Sequence, residues 1–120
     1  MKIEANELMI GNYVLDTRDD SIHKVSGNTI HSMQFNNKNE ILRAIPLTEE
    51  WLVKLGFKLL RHSDEWYFKK IKNLEISIKL SVFKVCIAKE YMTFLDVEIK
   101  HTHQLQNLFF ALTNEHLKIK

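Results

Sequence analysis

Three runs of alternating apolar and polar residues are the clearest pattern in the chain. Large apolar side chains take every second position over residues 74–80, 83–87 and 95–99, with polar or small residues between them. Successive side chains of a strand point to opposite faces of its sheet, so this period of two indicates strands with one buried face. The short spacing between the runs predicts an antiparallel meander.

A register for the last hairpin of this meander follows from a turn at residues 90–92. It places Lys84 opposite Glu98 on one face and Val85 opposite Val97 on the other. Opposite charges meet on the polar face and apolar residues meet on the buried one, which favours this pairing. The same register pairs Phe83 with Ile99, Cys86 with Asp96, Ile87 with Leu95 and Ala88 with Phe94.

The first 45 residues show short extended patterns. Gly27-Asn28 separates two of them, and both residue types tolerate the positive φ of a tight hairpin turn. A polar stretch over residues 36–39 predicts a loop before a further strand at Ile41–Ile45. The predicted strands before that loop cover residues 13–16, 22–26 and 29–35.

Two helices are predicted from capping signals and helical spacing. Thr48 can cap a helix over residues 46–56, and Gly56 supplies its left-handed stop. Its buried positions are Leu47, Trp51, Leu52 and Leu55. A hairpin of residues 57–61 and 66–71 around the loop 62–65 follows it. A closing helix over residues 102–113, with Asn114 as its left-handed cap, should cover the apolar face of the meander.

These elements predict one α+β domain spanning residues 1–120. Its parts are a β-rich region (1–45), a short central helix (46–56), antiparallel strands (57–100) and the closing helix (102–113). The length is that of a single ordinary domain, and three Gly with one Pro leave no room for a flexible linker.

Charge and cysteine content exclude several functional classes. The formal net charge is +2, from −1 in residues 1–60 and +3 in residues 61–120, which is too mild to indicate a nucleic-acid binder. The single cysteine, Cys86, cannot form an internal disulfide and fits a reducing compartment. Glu4 and Glu7 in the first ten residues argue against a signal peptide, and no run is long enough to span a membrane.

The candidates for catalysis or metal binding each have a simpler structural explanation. His101 and His103 have the spacing of zinc ligands but lack a third ligand, which favours capping or solvated histidines. Cys86 lies in the middle of a predicted strand, where a small structural thiol is favoured over a nucleophile. The acidic pairs Asp19-Asp20 and Asp64-Glu65 are typical of solvated turns. We therefore expect no catalytic residue, metal or cofactor.

Two surfaces are candidates for binding. One is an aromatic and lysine run that can stack bases and contact phosphates, or else form an edge strand with lysines outward: Trp66, Tyr67, Lys69, Lys70 and Lys72. The other is the small-residue face of the meander, around Ser77, Cys86, Ala88 and Phe94. Small side chains predict that the N-terminal strands or the Trp51 helix cover this face, or that a partner does.

Three segments together resemble a known group of proteins. Residues 7–14, 45–57 and 103–113 are similar to segments of small phage- and prophage-encoded proteins of the Bacteroidota type, mostly of unknown function. The chain is also similar to anti-CRISPR proteins that act on the RNA-guided RNase of type VI-B systems. The resemblance implies a phage origin and a bacterial host cytosol as the site of action, and it brings no catalytic residue. Asn114 stands where the group usually has Gly.

Three functions follow in order of preference. The first is a non-enzymatic inhibitor that binds an RNA-guided nuclease or its guide RNA complex, so that its partner is a host protein or ribonucleoprotein. The second is a nucleic-acid-binding accessory module that uses the run from Trp66 to Lys72. The third is a small enzyme that uses Cys86 or the His101 and His103 pair. No membrane association is expected.

Overall fold

The computed structural model describes residues 3, 5–35, 41–60 and 65–119. The chain belongs to the α+β class, with two antiparallel sheets and three α-helices among these residues. Its contacts divide it into two compact units: the residues up to Pro46 with His101–Lys118, and Leu47–Lys100 with the last residues. Within the described part of the chain, no helix is long and apolar enough to cross a membrane.

The first unit contains a three-stranded antiparallel sheet. Its strands are β1 (Tyr13–Asp16), β2 (Ser21–Lys24) and β3 (Leu42–Arg43), and β1 lies in the centre. A 3₁₀ turn (Ala5–Glu7) precedes the sheet, and helix α1 (Gly27–Phe35) follows β2. The polar loop predicted at residues 36–39 lies outside the described residues. One apolar core holds the unit: Ile3, Leu8, Val14, Val25, Met33, Leu42 and Ala44.

Helix α1 overturns the predicted hairpin at Gly27-Asn28 and the predicted strand over residues 29–35. Ser26 and Thr29 cap each other, since each hydroxyl oxygen accepts a hydrogen bond from the other residue's backbone N–H, at 3.3 and 3.2 Å. This reciprocal pattern satisfies amides at a helix N-terminus. Ile30 and Met33, three residues apart, both pack on the core of the unit. The first 45 residues are therefore less rich in strands than predicted.

Helix α3 (Thr102–Thr113) begins and ends as predicted. The His101 N–H donates to Oε1 of Gln104 at 3.0 Å, and Asn114 closes the helix at φ 60°. The sequence assigned α3 to the meander, but its contacts group it with the first unit. There the buried Gln106 accepts from the Tyr13 N–H at 2.8 Å and donates to the Gly11 carbonyl at 3.0 Å.

The second unit contains helix α2 (Glu49–Lys54) and a five-stranded antiparallel sheet in sequence order. Thr48 caps α2 as predicted, because its Oγ1 accepts from the Trp51 N–H at 3.3 Å, and Gly56 ends the turn at φ 91°. The predicted meander and the hairpin before it are confirmed, although most of the loop 62–65 lies outside the described residues. The strands are β4 (Lys58–Leu59), β5 (Trp66–Ile71), β6 (Leu74–Lys79), β7 (Lys84–Ala88) and β8 (Met92–Glu98).

The register between β7 and β8 is confirmed at one end and wrong at the other. Lys84 lies opposite Glu98 as predicted, but the next pair is Val85 with Leu95. Two extra residues of β8 therefore form a bulge, and every later pair is shifted by two. A shift of two keeps each side chain on its face, so the alternation could not exclude this register. The shifted pairs are Cys86 with Phe94, Ile87 with Thr93, and Ala88 with Met92.

The inner face of this sheet is its buried face. Helix α2 is tied to it, because Nζ of Lys69 donates to the Leu55 carbonyl at 2.9 Å and the Tyr67 hydroxyl bonds the Glu49 carboxylate. The helix side chains predicted to be buried, Leu47, Trp51, Leu52 and Leu55, are all buried. The strand side chains buried on this face are Tyr67, Ile76, Ile78 and Val85.

Candidate functional site

The outer face is the opposite side of the same sheet. Its members follow from the observed register, since residues directly opposite each other on neighbouring strands share a face. The face holds small residues on the two strands before β8 and larger ones around them. It comprises Lys58, Trp66, Phe68, Lys70, Glu75, Ser77, Lys79, Lys84, Cys86, Ala88, Met92, Phe94 and Glu98.

Two aromatic rings meet across the middle of the outer face. Trp66 of β5 and Phe94 of β8 have ring centroids 6.2 Å apart at an interplanar angle of 61°. Their strands are three positions apart, which corresponds to about 14 Å between backbones. Ser77 and Cys86, which lie in the row of Phe94, are small and leave room for this contact, whereas the row of Trp66 holds Lys79 and Lys84. Trp66 and Phe94 were predicted to belong to separate candidate surfaces, and the structure brings them together.

This contact changes the explanation for the small residues. They were predicted to be covered by the N-terminal strands, by the Trp51 helix or by a partner, and α2 is bound to the inner face instead. On the outer face, the larger side chains of the flanking strands extend over them. Cys86 is accordingly only 4% exposed, although its neighbour Phe94 is 64% exposed. The small residues at the centre of the outer face are therefore buried by larger side chains of the same face, whereas the side chains around them stay exposed.

The uncovered apolar surface is concentrated at one edge of the sheet. Met92 is 71% exposed, and Tyr91, in the turn before it, is 81% exposed. Single exposed apolar residues are ordinary, but Met92 and Phe94 are neighbours on one face, and Phe94 contacts the half-buried Trp66. A contiguous apolar patch of this kind is typical of a binding surface.

Charges of both signs surround this patch. Lys70 lies opposite Glu75, and Lys84 lies opposite Glu98. Ion pairs join Lys79 to Glu65 at 3.3 Å and Lys100 to Glu98 at 3.4 Å. The outer face itself carries four lysines and two glutamates, so its rim is polar and of mixed sign with an excess of positive charge, rather than the uninterrupted basic stripe typical of a phosphate-binding surface.

The aromatic and lysine run does not form one surface, because its residues alternate along β5. Tyr67 and Lys69 were predicted to present stacking and phosphate contacts together, but both belong to the inner face. Tyr67 is 5% exposed, and burial raises the pKa of its phenol. Lys69 already donates to a backbone carbonyl. Of the set, Trp66 and Lys70 lie on the outer face, and Lys72 lies in the next turn at φ 54°.

Cys86 has the surroundings of a structural thiol. Burial raises the pKa of its Sγ, so the fraction of thiolate at neutral pH is small. Its Sγ lies 3.9 Å from the carbonyl oxygen of Ile87, a distance compatible with a weak hydrogen bond. The thiol is thus buried in the outer face and is not activated.

The two histidines of the candidate metal pair have different environments. The backbone of His101 takes part in the α3 cap, and its ring stacks on His103 with centroids 6.0 Å apart. His103 was expected to be capping or solvated, but it is 2% exposed, and burial lowers its pKa. Its Nε2 lies 3.9 Å from Oε1 of Glu7. Among the described residues, no group of three or more His, Cys, Asp and Glu could hold a metal ion.

The acidic pairs are placed as solvated turns where the structure describes them. Asp19 and Asp20 are exposed in the turn between β1 and β2, and Oδ1 of Asp19 accepts from the N–H and hydroxyl of Ser21. Glu65 is bound to Lys79, and Asp64 lies outside the described residues. Asp19, Asp20 and Glu65, the carboxylates that the structure describes, therefore have the exposed surroundings of solvated turns.

The first unit contains a cavity of about 290 Å³ that was not predicted, lined by Asp16, Arg18, His23, Thr29 and Ser32 among others. NH2 of Arg18 lies 2.7 Å from Oδ2 of Asp16, and this hydrogen bond is the main reason that the Asp16 pKa falls to about 2. Nε2 of His23 is hydrogen-bonded to Oγ1 of Thr29 at 2.8 Å. The cavity was missed because one of its walls is α1, which was predicted to be a strand. Asp16 neutralises Arg18, the cation of this cavity, so we assign the cavity a structural role.

Comparison with known proteins adds no relative. No family model, no curated protein and no solved structure matches the chain. The resemblance to phage-encoded and anti-CRISPR proteins therefore stays a prediction, and the functional argument depends on the outer face.

Proposed function

We propose that the chain is a non-enzymatic binding protein of phage origin that blocks a host RNA-guided nuclease through its outer face. The observation that carries the binding role is the exposed apolar patch of Met92, Phe94 and Trp66 within a rim of mixed charge. Protein interfaces commonly have an apolar centre with aromatic and Met side chains and a polar rim. The identity of the partner rests on the sequence resemblance.

The side chains on this face are partly held in place before binding, which supports a protein partner. Phe94 rests against Trp66, so part of its conformational freedom is already lost before binding. Aromatic anchors held in place by neighbours are typical of the few residues that carry most of the binding energy. The ion pairs at the rim can exchange partners at little cost, because exposed pairs contribute little stability.

The same face gives less support to the nucleic-acid alternative. Two of the five residues in the predicted contact run are on the inner face, and Lys70, which is on the outer face, lies opposite Glu75. Binding through phosphate contacts weakens steeply with added salt, whereas an apolar interface depends little on it. The salt dependence of binding therefore separates the two functions.

The test is a titration of the chain against a fixed amount of a type VI-B RNA-guided RNase loaded with its guide RNA. We expect inhibition that saturates near equivalence, because a binding inhibitor acts by occupancy. Strong inhibition at a small fraction of equivalence that grows with incubation time would show turnover, and the proposal would then be wrong. Lack of inhibition at any ratio would exclude this partner.

Matched variants test the surface. Phe94→Glu places a charge in the apolar patch and should abolish inhibition, whereas Val53→Glu places the same charge at another exposed apolar position, on α2, and should have no effect. Both residues are more than half exposed, so both variants should fold. Replacing Lys70 and Lys72 with Glu should weaken binding only if RNA is contacted. Equal inhibition by the two apolar-to-Glu variants would remove the outer face from the proposal.

A further inference from the structure

The start of helix α3 holds a group of buried polar atoms without hydrogen-bond partners. Among the described residues, the side-chain nitrogens and oxygens in this position are four atoms of His101, Thr102 and His103. Buried polar atoms in proteins are nearly always hydrogen-bonded, so four of them at one place require an explanation. His103 is the extreme case, because its side chain is fully buried and both of its ring nitrogens belong to the group.

The 3₁₀ turn of the first unit lies against this part of α3. Nδ2 of Asn107, one helical turn after His103, donates to the Glu7 carbonyl at 2.9 Å. Ile3 and Leu8, on either side of the turn, are buried in the core of the unit. The Glu7 side chain is 34% exposed and the His103 side chain is 2% exposed, with Oε1 of the first 3.9 Å from Nε2 of the second. The turn therefore separates the ring from water on this side.

A proton on His103 is poorly compensated while the turn is in place. Burial is the largest influence on the ring and lowers the pKa of His103 below its ordinary value of 6.5. The titratable groups that act on it are Glu7, from the turn, and His101, from the residue before α3. Glu7 is partly solvated and 3.9 Å away, beyond hydrogen-bond distance, so its attraction is incomplete. A protonated His101, with ring centroids 6.0 Å apart, would repel the charge.

We propose that His103 and the 3₁₀ turn form an acid-sensitive latch, in which the turn leaves α3 when His103 takes up a proton. In the closed form the ring is shielded from water, and its neutral state is favoured. In the open form water can solvate the imidazolium, so the proton is bound more strongly. Acid therefore raises the population of the open form. Release of the turn would also withdraw Ile3 and Leu8 from the core and expose apolar surface.

The pKa of His103 sets the pH range of the latch. In the open form the ring titrates near its ordinary value of 6.5, and in the closed form it titrates at a lower pH. The stability of the closed form is therefore complete above pH 6.5 and decreases as the pH falls towards the lowered pKa. One proton changes the ratio of open to closed form by up to about tenfold per pH unit in this range.

The test is amide hydrogen exchange of the full chain, followed by NMR from about pH 7.5 to about pH 5 and corrected for the intrinsic exchange rate. The Leu8 N–H donates to the Ala5 carbonyl at 3.2 Å and reports on the turn. The Ile78 N–H, in a central strand of the five-stranded sheet, reports on global unfolding. We expect the protection of Leu8 to fall by up to about tenfold per pH unit below 6.5, and that of Ile78 to stay constant.

Three variants separate the contributions. His103→Leu places an apolar side chain at a buried site without hydrogen-bond partners and should abolish the acid response. Glu7→Gln removes the attraction that favours the proton in the closed form, so it should extend the response to lower pH. His31→Leu changes an exposed histidine of α1 and is the matched control, which should keep the wild-type response.

NMR of the imidazole nitrogens of the wild type gives a measurement that does not depend on the folding of His103→Leu. At pH 6.5, less than half of His103 should be protonated, and a larger fraction would overturn the proposal. Constant protection of Leu8 over the whole pH range would also overturn it. Equal losses at Leu8 and Ile78 would show global acid unfolding in place of a latch. None of these measurements uses a nuclease, so the result is independent of the proposed inhibitory function.

Discussion

The two faces of the five-stranded sheet are built from the same strands but differ in the size and exposure of their side chains. On the inner face, Ile76, Ile78 and Val85 are buried, and helix α2 is hydrogen-bonded to the sheet. On the outer face, Ser77 and Cys86 occupy the same strands, and the rings of Trp66 and Phe94 from the flanking strands meet across them.

This difference indicates a division of roles. Full burial of an aliphatic side chain stabilises a fold by about 1.5–3 kcal/mol, so the inner face carries much of the stability of the second unit. The outer face buries little beyond its small centre, and its large side chains stay partly in solvent. Changes on the inner face should therefore affect folding, and changes on the outer face should affect binding.

The largest expected effect contrasts a truncation on each face. Ile78→Ala leaves a cavity at a fully buried position and should lower the free energy of unfolding by about 2–5 kcal/mol. Phe94→Ala, at an exposed position, should lower it by less than about 1 kcal/mol. Urea denaturation of both variants measures the difference. Similar losses for the two would show that the outer face is also a core.

A smaller effect is expected from filling the small centre of the outer face. Ser77→Leu adds volume beneath the contact between Trp66 and Phe94, and overpacking of this kind costs about 1–3 kcal/mol. The Trp fluorescence should also change, because the ring is displaced. Ser81→Leu, in an exposed turn, is the control and should leave both stability and fluorescence unchanged. A stable Ser77→Leu variant with unaltered fluorescence would contradict the contact of Trp66 with Phe94 over the small residues.

The tie between α2 and the inner face can be weakened by removing one hydroxyl. Tyr67→Phe deletes the hydrogen bond to Glu49 and should cost about 0.5–1.5 kcal/mol at neutral pH. Burial raises the Tyr67 pKa above its ordinary value of 10.0. Above that pH the unfolded chain loses this proton before the folded chain does, so stability falls as the pH rises. The variant should lose less over the same range, which unfolding at stepped alkaline pH would measure.

The smallest effect concerns Cys86. Its buried thiol should react slowly with a thiol reagent in the folded chain and rapidly in denaturant. Cys86→Ser should leave binding intact, because the Sγ lies beneath the rings and not at the surface. Rapid labelling under native conditions would mean that the outer face opens readily. Loss of activity in a folded serine variant would revive the enzyme hypothesis.

The alternation of side chains predicted the faces of the meander but not all of its pairs. Val85 was matched with Val97 and is found opposite Leu95. Leu95 and Val97 are both apolar and lie on the same face, so the hydrophobic pattern does not distinguish registers that differ by two residues. The contact of Trp66 with Phe94 could not be predicted for a related reason, because it depends on rings that cross two intervening strands.

The N-terminal region shows where local signals compete. Gly27-Asn28 is typical of a hairpin turn and predicted one, whereas the capping pair of Ser26 and Thr29 was not recognised from the sequence. The spacing of Ile30 and Met33 fits a helix, but the segment is too short for its periodicity to decide. The cavity beside α1 could therefore not be predicted from the sequence. Capping and helical spacing predicted α2 and α3 well, because several signals agreed there.

The bulge of β8 limits how this hairpin can vary in length over evolution. Its two additional residues form an even insertion, so Met92 and Phe94 stay on the outer face after it. Insertion or deletion of one residue in the bulge would move both side chains to the inner face and bring Leu95 to the outer face. Homologues that keep the outer face should therefore differ in this hairpin by even numbers of residues.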